Sequence, residues 1–477
     1  MDEFDVVVLG AGPTGENLAD RVHAGGLSVA VVEHELVGGE CSYWACMPSK
    51  ALLRPAAALA DARRVAGSRE AVTGGLDVAA VLSRRDDFAS HWKDDGQVRW
   101  LDGVGITLVR GHGRLDGEKR VVVETAEGER RVLVARHAVA LCTGTRAALP
   151  GLPGLAEARP WTSREATGSP VVPGRLAVVG GGVVAVEMAT AWRALGSEVV
   201  LLVRGSGLLP RVEEFAGDLV AEGLAAAGVD VRFGESVTGV RRDGGGEVEL
   251  TLAGGGTLTA DEVLFATGRV PATADLGLES VGLPAGKPVE VDDTGLAVGV
   301  PGGWLYAAGD VNGRVLMTHQ GKYQGRIFGA AIADRAAGRE LDLAPWGRSV
   351  ATADERAVPQ VVFTDPEVAA VGLTLDEALN AGRRARAVDY DLGNVAGASL
   401  FADGYRGRAR AVVDLDRETL LGVTFVGPGV AELLHAATVA VAGEVPIARL
   451  WHAVPAYPTI SEIWLRLLET YRDKGAT

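Results

Sequence analysis

Cysteine is scarce in this chain, with three in 477 residues, too few for a disulfide framework to hold the fold. Long hydrophobic runs are missing too. Apolar stretches such as residues 176–188 are broken by Gly and Glu, well short of the roughly 20 residues a membrane-spanning helix needs. Blocks of like charge are absent, and 62 acidic residues against 47 basic ones leave a net charge of -15. That balance favours solubility and disfavours nucleic acid or an anionic membrane as a partner. The start, Met1-Asp2-Glu3-Phe4-Asp5, lacks the basic end and apolar core of a signal peptide. These absences point to a cytoplasmic protein, a compartment in which a disulfide more readily cycles than staples a fold. The length exceeds one ordinary core, and roughly two to four domains are expected.

Two of the three cysteines, Cys41 and Cys46, stand together in the stretch Gly38 to Lys50. On an ideal helix a separation of five residues turns side chains roughly 140° apart, so joining the sulfurs requires a loop or a distorted first turn. Gly38, Gly39 and Pro48 favour such a distortion. Unpaired core cysteines and half of a zinc site are the plain alternatives at this spacing. Upstream, the apolar strand 5–9 runs into Gly10-Ala11-Gly12-Pro13-Thr14-Gly15 and a helix-compatible stretch, and the next apolar strand, 29–32, ends in Glu33. The glycines let backbone approach a pyrophosphate at a helix N-terminus, and an acid at that distance accepts from a ribose hydroxyl. Residues 1–33 therefore read as a dinucleotide site, and a redox-active cysteine pair that follows it lies beside whatever the dinucleotide carries.

The run Gly38-Gly39-Glu40-Cys41 through Cys46-Met47-Pro48-Ser49-Lys50 resembles the hallmark of the flavoprotein disulfide reductases, the family of dihydrolipoamide dehydrogenase, glutathione reductase and mercuric reductase. Two departures stand out. Glu40 replaces the usual Thr, and Ser42-Tyr43-Trp44-Ala45 replaces a smaller, less aromatic spacer. Soluble transhydrogenases of the same superfamily also carry a Trp in this spacer but lack the second cysteine. The resemblance implies an α/β protein with two tandem Rossmann-like domains and a C-terminal α+β interface domain. The expected segments are 1–150 (FAD domain), 151–270 (nicotinamide domain), 271–345 (return to the FAD domain) and 346–477 (interface domain of a homodimer).

Along the chain, helical patterns cover 51–71 and 78–100, and strand-like runs cover 106–109, 120–124 and 131–141. By the resemblance, Gly111-His112-Gly113 lies on the adenine side of FAD; His112 reads as a surface turn residue, with Gly113 at the cofactor. A strand then ends in Cys142-Thr143-Gly144-Thr145, Cys142 reading as core. A second strand-glycine-helix unit repeats the first: strand 176–179, then Gly180-Gly181-Gly182-Val183-Val184-Ala185, sister strand 198–203, and a closing Thr267-Gly268 turn. Two dinucleotides explain the duplication: FAD, then a nicotinamide. In the second unit Val203 stands where Glu33 stands in the first, with Arg204 next and Arg211 a loop later. Arg pairs with a 2′-phosphate that an acid would repel, which favours NADPH and leaves NADH possible. The plain alternative is that Arg204 caps a strand into solvent. Asp310, after strand 304–309, corresponds to the family's ribityl and phosphate contact, and Met317-Thr318-His319 opens a helix against the flavin.

The mechanism implied by the resemblance places Cys46 next to the flavin as thiolate and Cys41 as the thiol that attacks substrate. A helix N-terminus after the pair would favour the thiolate. Lys50, one of very few lysines, corresponds to the family's lysine near flavin N5, and Glu187 to its partner; a solvated helix acid is the alternative for Glu187. The family's closing His-Pro-Thr-x-x-Glu reads here as Tyr457-Pro458-Thr459-Ile460-Ser461-Glu462, with His452 five residues away. The expected function is an FAD-dependent NAD(P)H oxidoreductase passing electrons through a Cys41–Cys46 disulfide to an unidentified small acceptor, a disulfide or a quinone. A dihydrolipoamide dehydrogenase, a soluble transhydrogenase or diaphorase, and a flavin-binding redox sensor with little turnover are the alternatives. No metal site is expected. The tail from Tyr471 to Thr477 carries no cysteine pair, which argues against mercuric reductase and high-molecular-weight thioredoxin reductase. The resemblance also implies that the C-terminal segment completes the partner's site.

Overall fold

A computed structural model describes residues 2–244 and 246–473. The start at Met1 and the end of the tail, 474–477, lie outside the described residues. The chain divides into two compact units.

The first unit comprises Met1–Pro48, Asp86–Ala148 and Arg269–Asp354. Its centre is a parallel sheet in the order Thr107–Arg110, Val29–Glu33, Asp2–Leu9 and Arg130–Leu141, with Leu305–Ala307 paired to the last of these. Arg120–Glu124 and His112–Leu115 extend it antiparallel. Parallel strands are buried on both faces, and strand alternation sorts the run accordingly. Val6 and Val8 enter a core with Leu18, Val22, Phe328 and Ile332, whereas Val7 and Leu9 enter another with Val121, Val123 and Trp304. Helices Pro13–Ala24 and Thr318–Ala336 meet almost backbone to backbone. Gly321, Gly325 and Gly329 make this possible: a Cβ at Gly325 would stand 2.7 Å from the Thr14 carbonyl oxygen, and one at Gly329 2.8 Å from that of Leu18.

The second unit comprises Ser49–Arg85, Leu149–Gly268 and Glu355–Thr477. It holds a four-stranded parallel sheet, Asp230–Phe233, Glu198–Val203, Arg175–Val179 and Glu262–Phe265, and a three-stranded antiparallel sheet, Val237–Arg242, Val248–Leu252 and Thr257–Ala260. A five-stranded antiparallel sheet follows in the order Pro359–Val362, Glu367–Gly372, Thr419–Gly427, Arg408–Asp414, Ala385–Asp391. One core joins Leu52, Leu53 and Val81, the helix residues Val186 and Trp192, and Val362, Val368 and Val426 of the C-terminal sheet. Two Rossmann-like sheets and a C-terminal α+β domain are thus the architecture expected from the sequence.

The helical stretch expected over 78–100 is broken. Val78–Phe88 and Asp95–Val104 are separated by Ser90, His91 and Trp92, all at positive φ, and the break lets Trp92 Nε1 donate to the Tyr43 carbonyl at 3.1 Å. His112 opens a strand rather than a turn. No helix among the described residues is long and apolar enough to cross a membrane.

Candidate active site

The cysteine stretch solves its spacing problem by breaking a helix. Gly38 and Gly39 hold φ of 112° and 58°, values in the left-handed region that only glycine adopts without strain. Helix Gly39–Tyr43 carries Cys41 and ends at Trp44, after which Cys46 starts helix Cys46–Arg64. The aromatic spacer is a strut. Tyr43 is fully buried, its hydroxyl donates to the Val37 carbonyl at 2.9 Å, and its own carbonyl accepts from Trp92. Cys41 and Cys46 are both half-buried free thiols. The hydrogen-bonded neighbour Cys46, followed by burial, holds the Cys41 thiol well above its ordinary range. Cys46 Sγ lies 3.3 Å from Thr318 Oγ1, in the first turn of the 19-residue helix Thr318–Ala336. The buried third cysteine, Cys142, sits in the core as expected.

The stretch also abuts the first glycine motif. Gly38 N donates to the Ala11 carbonyl at 2.8 Å, and a Cβ on Gly39 would stand 2.8 Å from Gly12 Cα. Gly12 is the N-cap of Pro13–Ala24, without a side-chain cap, so first-turn N–H groups remain for an anion. Gly10 and Gly15 approach each other as a tight turn requires: a Cβ on Gly15 would lie 1.9 Å from the Gly10 oxygen. The Thr14 side chain packs against Gly309 and Gly321, which leaves its backbone for a ligand. Glu33 is buried and accepts from Ala11 N and Glu35 N, each at 2.8 Å. Burial works against its charge, yet bonds from His34, Ala11 and Glu35 prevail and hold the carboxyl below its ordinary value. Gly113 is required by packing, since a Cβ there would meet Leu9 at 2.8 Å and Val32 at 3.0 Å. Thr143 donates to the Ala272 carbonyl at 3.1 Å, and Gly144 has φ of 69°. Met317 is the N-cap of the helix that begins with Thr318 and His319; His319 is exposed. An uncapped glycine turn with a buried acid at the next strand end fits a dinucleotide such as FAD.

In the second unit Gly182 caps Val183–Ala194 in the same uncapped manner, with Val183 and Val184 in its first turn. Gly180, at φ 137°, brings backbone against the Ala266 carbonyl, and Gly268 has φ of 132°. Arg204 and Arg211 are exposed, and neither forms a hydrogen bond or ion pair among the described residues. Glu187 is no solvated helix acid. It is 2 % exposed, pairs with Lys50 Nζ at 2.7 Å, and accepts from Phe363 N at 3.0 Å. The ammonium also lies 5.1 Å from the Phe363 ring centroid, within cation–π range.

The C-terminal residues are not assembled within one chain. Tyr457 is 75 % exposed, and no hydrogen bond joins it to Glu462 among the described residues. Glu462 is buried, and one of its oxygens accepts from Arg466. His452 is exposed.

Two features escaped the sequence reading. Glu40 pairs with Arg269, which also donates from Nε to Thr145 Oγ1 at 2.6 Å, while that hydroxyl donates to Asp310 Oδ2 at 2.7 Å. The signal was present in the Glu that replaces Thr and the Arg after Thr267-Gly268, but 229 residues separate the partners. Glu16, one residue past the glycine motif, has its carboxyl pushed up to about 7 by burial, with Glu33 adding to the rise and Lys322 opposing it. Its Oε1 is buried without a partner.

Residues 4–325 match the family model described as pyridine nucleotide-disulphide oxidoreductase, and residues 358–467 match the dimerisation domain of the same family. The chain belongs to this family. As a pyridine nucleotide-disulphide oxidoreductase it is an FAD-dependent flavoprotein enzyme that uses NAD(P)H. Among its relatives, dihydrolipoyl dehydrogenase 3 of Pseudomonas aeruginosa is 32% identical, over 97% of this chain and 96% of the relative. Mercuric reductase of Acidithiobacillus ferrooxidans is 34% identical, over 96% of this chain and 81% of the relative. The oxidoreductase shares its fold with the HOCl-induced flavoprotein disulfide reductase RclA of Escherichia coli, at TM-score 0.81 and 24% identity over 98% of this chain and 99% of that one. LpdA of Mycobacterium tuberculosis aligns at TM-score 0.82 and 24% identity, over 99% and 100% of the two chains.

Proposed function

We propose that this oxidoreductase carries two electrons from NADPH, by way of FAD and the Cys41–Cys46 couple, to a small-molecule acceptor of quinone or dye type. The observation that carries the reading is the thiol pair itself, two half-buried free cysteines with Cys46 against Thr318 at a helix start. When bound, FAD accepts hydride from the nicotinamide and passes electrons on singly or in pairs. Gly10, Gly12, Pro13, Thr14 and Gly15 hold its pyrophosphate, Glu33 its adenosine ribose and Asp310 its ribityl chain. Arg204 and Arg211 hold the 2′-phosphate of NADPH on the second glycine turn. Cys46 is the thiolate that faces the flavin, Cys41 the exchanging thiol, and Lys50, steadied by Glu187, the cation beside the ring. The net reaction balances as NADPH, one proton and a quinone giving NADP+ and a hydroquinone.

Tyr457 supports a non-thiol acceptor. A phenol is poorly matched to take up and return a proton near neutral pH as an imidazole does, so the thiol–disulfide exchange lacks its usual proton shuttle. The segments 1–150, 151–270, 271–345 and 346–477 act as FAD, nicotinamide, returning FAD and interface domains of a cytoplasmic homodimer, whose C-terminal segment brings Tyr457 and Glu462 to the partner's site. The test is turnover with NADPH against a panel of lipoamide, glutathione disulfide, quinones and dyes. Quinones and dyes should turn over faster, and Tyr457→His should raise disulfide reduction while leaving dye reduction nearly unchanged. Brisk lipoamide reduction lost in His452→Ala would overturn this reading and favour the dihydrolipoamide dehydrogenase alternative that the curated relatives suggest. Failure of NADPH to bleach the flavin within seconds would favour the sensor.

A further inference from the structure

We propose that Glu40, Arg269 and Thr145 form a relay that orients and charge-balances Asp310 for the ribityl hydroxyls of FAD, and that this relay governs retention of the cofactor. The inference rests on the reading of Asp310 as the ribityl contact and extends it to three residues that no part of that reading uses.

The Arg269 guanidinium makes three contacts: Nη2 with the Glu40 carboxylate, Nη2 with the Thr145 carbonyl at 2.8 Å, and Nε with Thr145 Oγ1 at 2.6 Å. A guanidinium only donates, and a threonine hydroxyl has one proton. Because Nε occupies an Oγ1 lone pair, the hydroxyl proton is directed elsewhere, and the acceptor at 2.7 Å is Asp310 Oδ2. The hydrogen-bond direction therefore runs one way, from Arg269 through Thr145 to Asp310. Asp310 accepts the Thr145 bond on Oδ2, and a carboxylate, with about four lone-pair sites, keeps acceptor capacity for a polyol.

Charge makes the same point. Glu40 and Asp310 place two carboxyl groups around one guanidinium in a partly buried region, with Glu40 and Arg269 side chains 25% and 23% exposed. Burial pushes the Asp310 carboxyl up, Thr145 and Arg269 oppose that rise, and Glu40 adds to it. Glu40 is also the position that departs from the family hallmark, and a Thr there could not neutralise Arg269. The backbone helps to place the relay: Thr145–Ala147 and Arg269–Pro271 pair antiparallel as a two-stranded ribbon with Arg269 opposite Ala147 and Pro271 opposite Thr145, so Arg269 and Thr145 stand diagonally across the same short ribbon.

The experiment measures FAD dissociation from purified holoprotein by the rise in free-flavin fluorescence, with far-UV circular dichroism as the check on folding. Arg269→Met and Thr145→Val should each weaken FAD binding at least tenfold, and Thr145→Ser, which keeps the hydroxyl, should restore most of it. Glu40→Gln should change binding little in the wild type, where its charge is paired. In the Arg269→Met background it should recover at least threefold, because an uncompensated acid is removed. The Arg269→Met variant should also release FAD at a higher pH than the wild type on acidification. Asp310→Asn separates the two levels of the argument. If it loses FAD while Arg269→Met and Thr145→Val retain it, the relay is overturned and the ribityl contact stands; if it retains FAD, both fall. Should Arg269→Met not fold, Thr145→Val against Thr145→Ser decides the case alone, and equal affinity in those two overturns the relay.

Discussion

Lys50 and Glu187 should be unequal partners when either is removed. Their separation is 2.7 Å, but the Glu187 side chain is 3% exposed and that of Lys50 35%. In Glu187→Gln the ammonium swings into water and keeps its solvation, while the amide retains the bond from Phe363 N, so about 1 kcal/mol is lost. In Lys50→Met the carboxylate stays buried with only Phe363 N at 3.0 Å to satisfy it. An uncompensated buried charge of this kind costs about 3–5 kcal/mol. At roughly 2–4 °C per kcal/mol for a unit of this size, Lys50→Met should lower the melting temperature by about 6–20 °C and Glu187→Gln by a few degrees. Calorimetry at pH 7 separates the two. The double variant Lys50→Met with Glu187→Met should regain much of the loss seen in Lys50→Met, since apolar replacement of both members of a buried pair is often neutral. Equal losses in the two single variants, or a larger one in Glu187→Gln, would refute the reasoning.

Other outcomes follow from the same geometry. On two-electron reduction the holoprotein should show a long-wavelength band from the Cys46 thiolate against the flavin; Cys46→Ser should abolish it and Cys41→Ser preserve it, and absorbance spectra of the two decide the assignment. Arg204→Glu should weaken NADPH relative to NADH by about 1–3 kcal/mol, through a lost charge-assisted bond and a gained repulsion; the ratio of kcat/KM for the two coenzymes reads it out. Glu16 gives a pH dependence. Its carboxyl sits at about 7 against an ordinary 4.5, so between those values the folded chain binds a proton that the unfolded chain has released, and stability falls as pH rises. The gap is worth roughly 3 kcal/mol. Glu16→Gln should therefore melt higher than wild type at pH 8 and alike at pH 4, and a constant difference across that range would contradict it.

Much of the site was legible because it is written locally. Each strand-glycine-helix unit, and Glu33 at the end of the first unit's second strand, falls within about thirty residues, where periodicity and steric demand act directly on neighbours in the chain. Glu187 could be read as buried because it interrupts an apolar helix face. The cysteine spacing announced a distortion, and Gly38 and Gly39 announced where.

What tertiary structure alone decided has one physical cause: partners brought together from distant segments leave no periodic trace. Glu40 meets Arg269 across 229 positions. Trp92 supports Tyr43 by breaking a helix that composition would have continued. Gly321, Gly325 and Gly329 look like helix-weakening residues until the Pro13–Ala24 helix is set against them. Tyr457 and Glu462, five residues apart in sequence, stay apart in the chain, one in solvent and one buried on Arg466. Residue type and spacing determined which groups the protein has for redox chemistry; packing between remote segments determined which of them are charged, paired or exposed, because burial and ion pairing depend on neighbours that only the fold supplies.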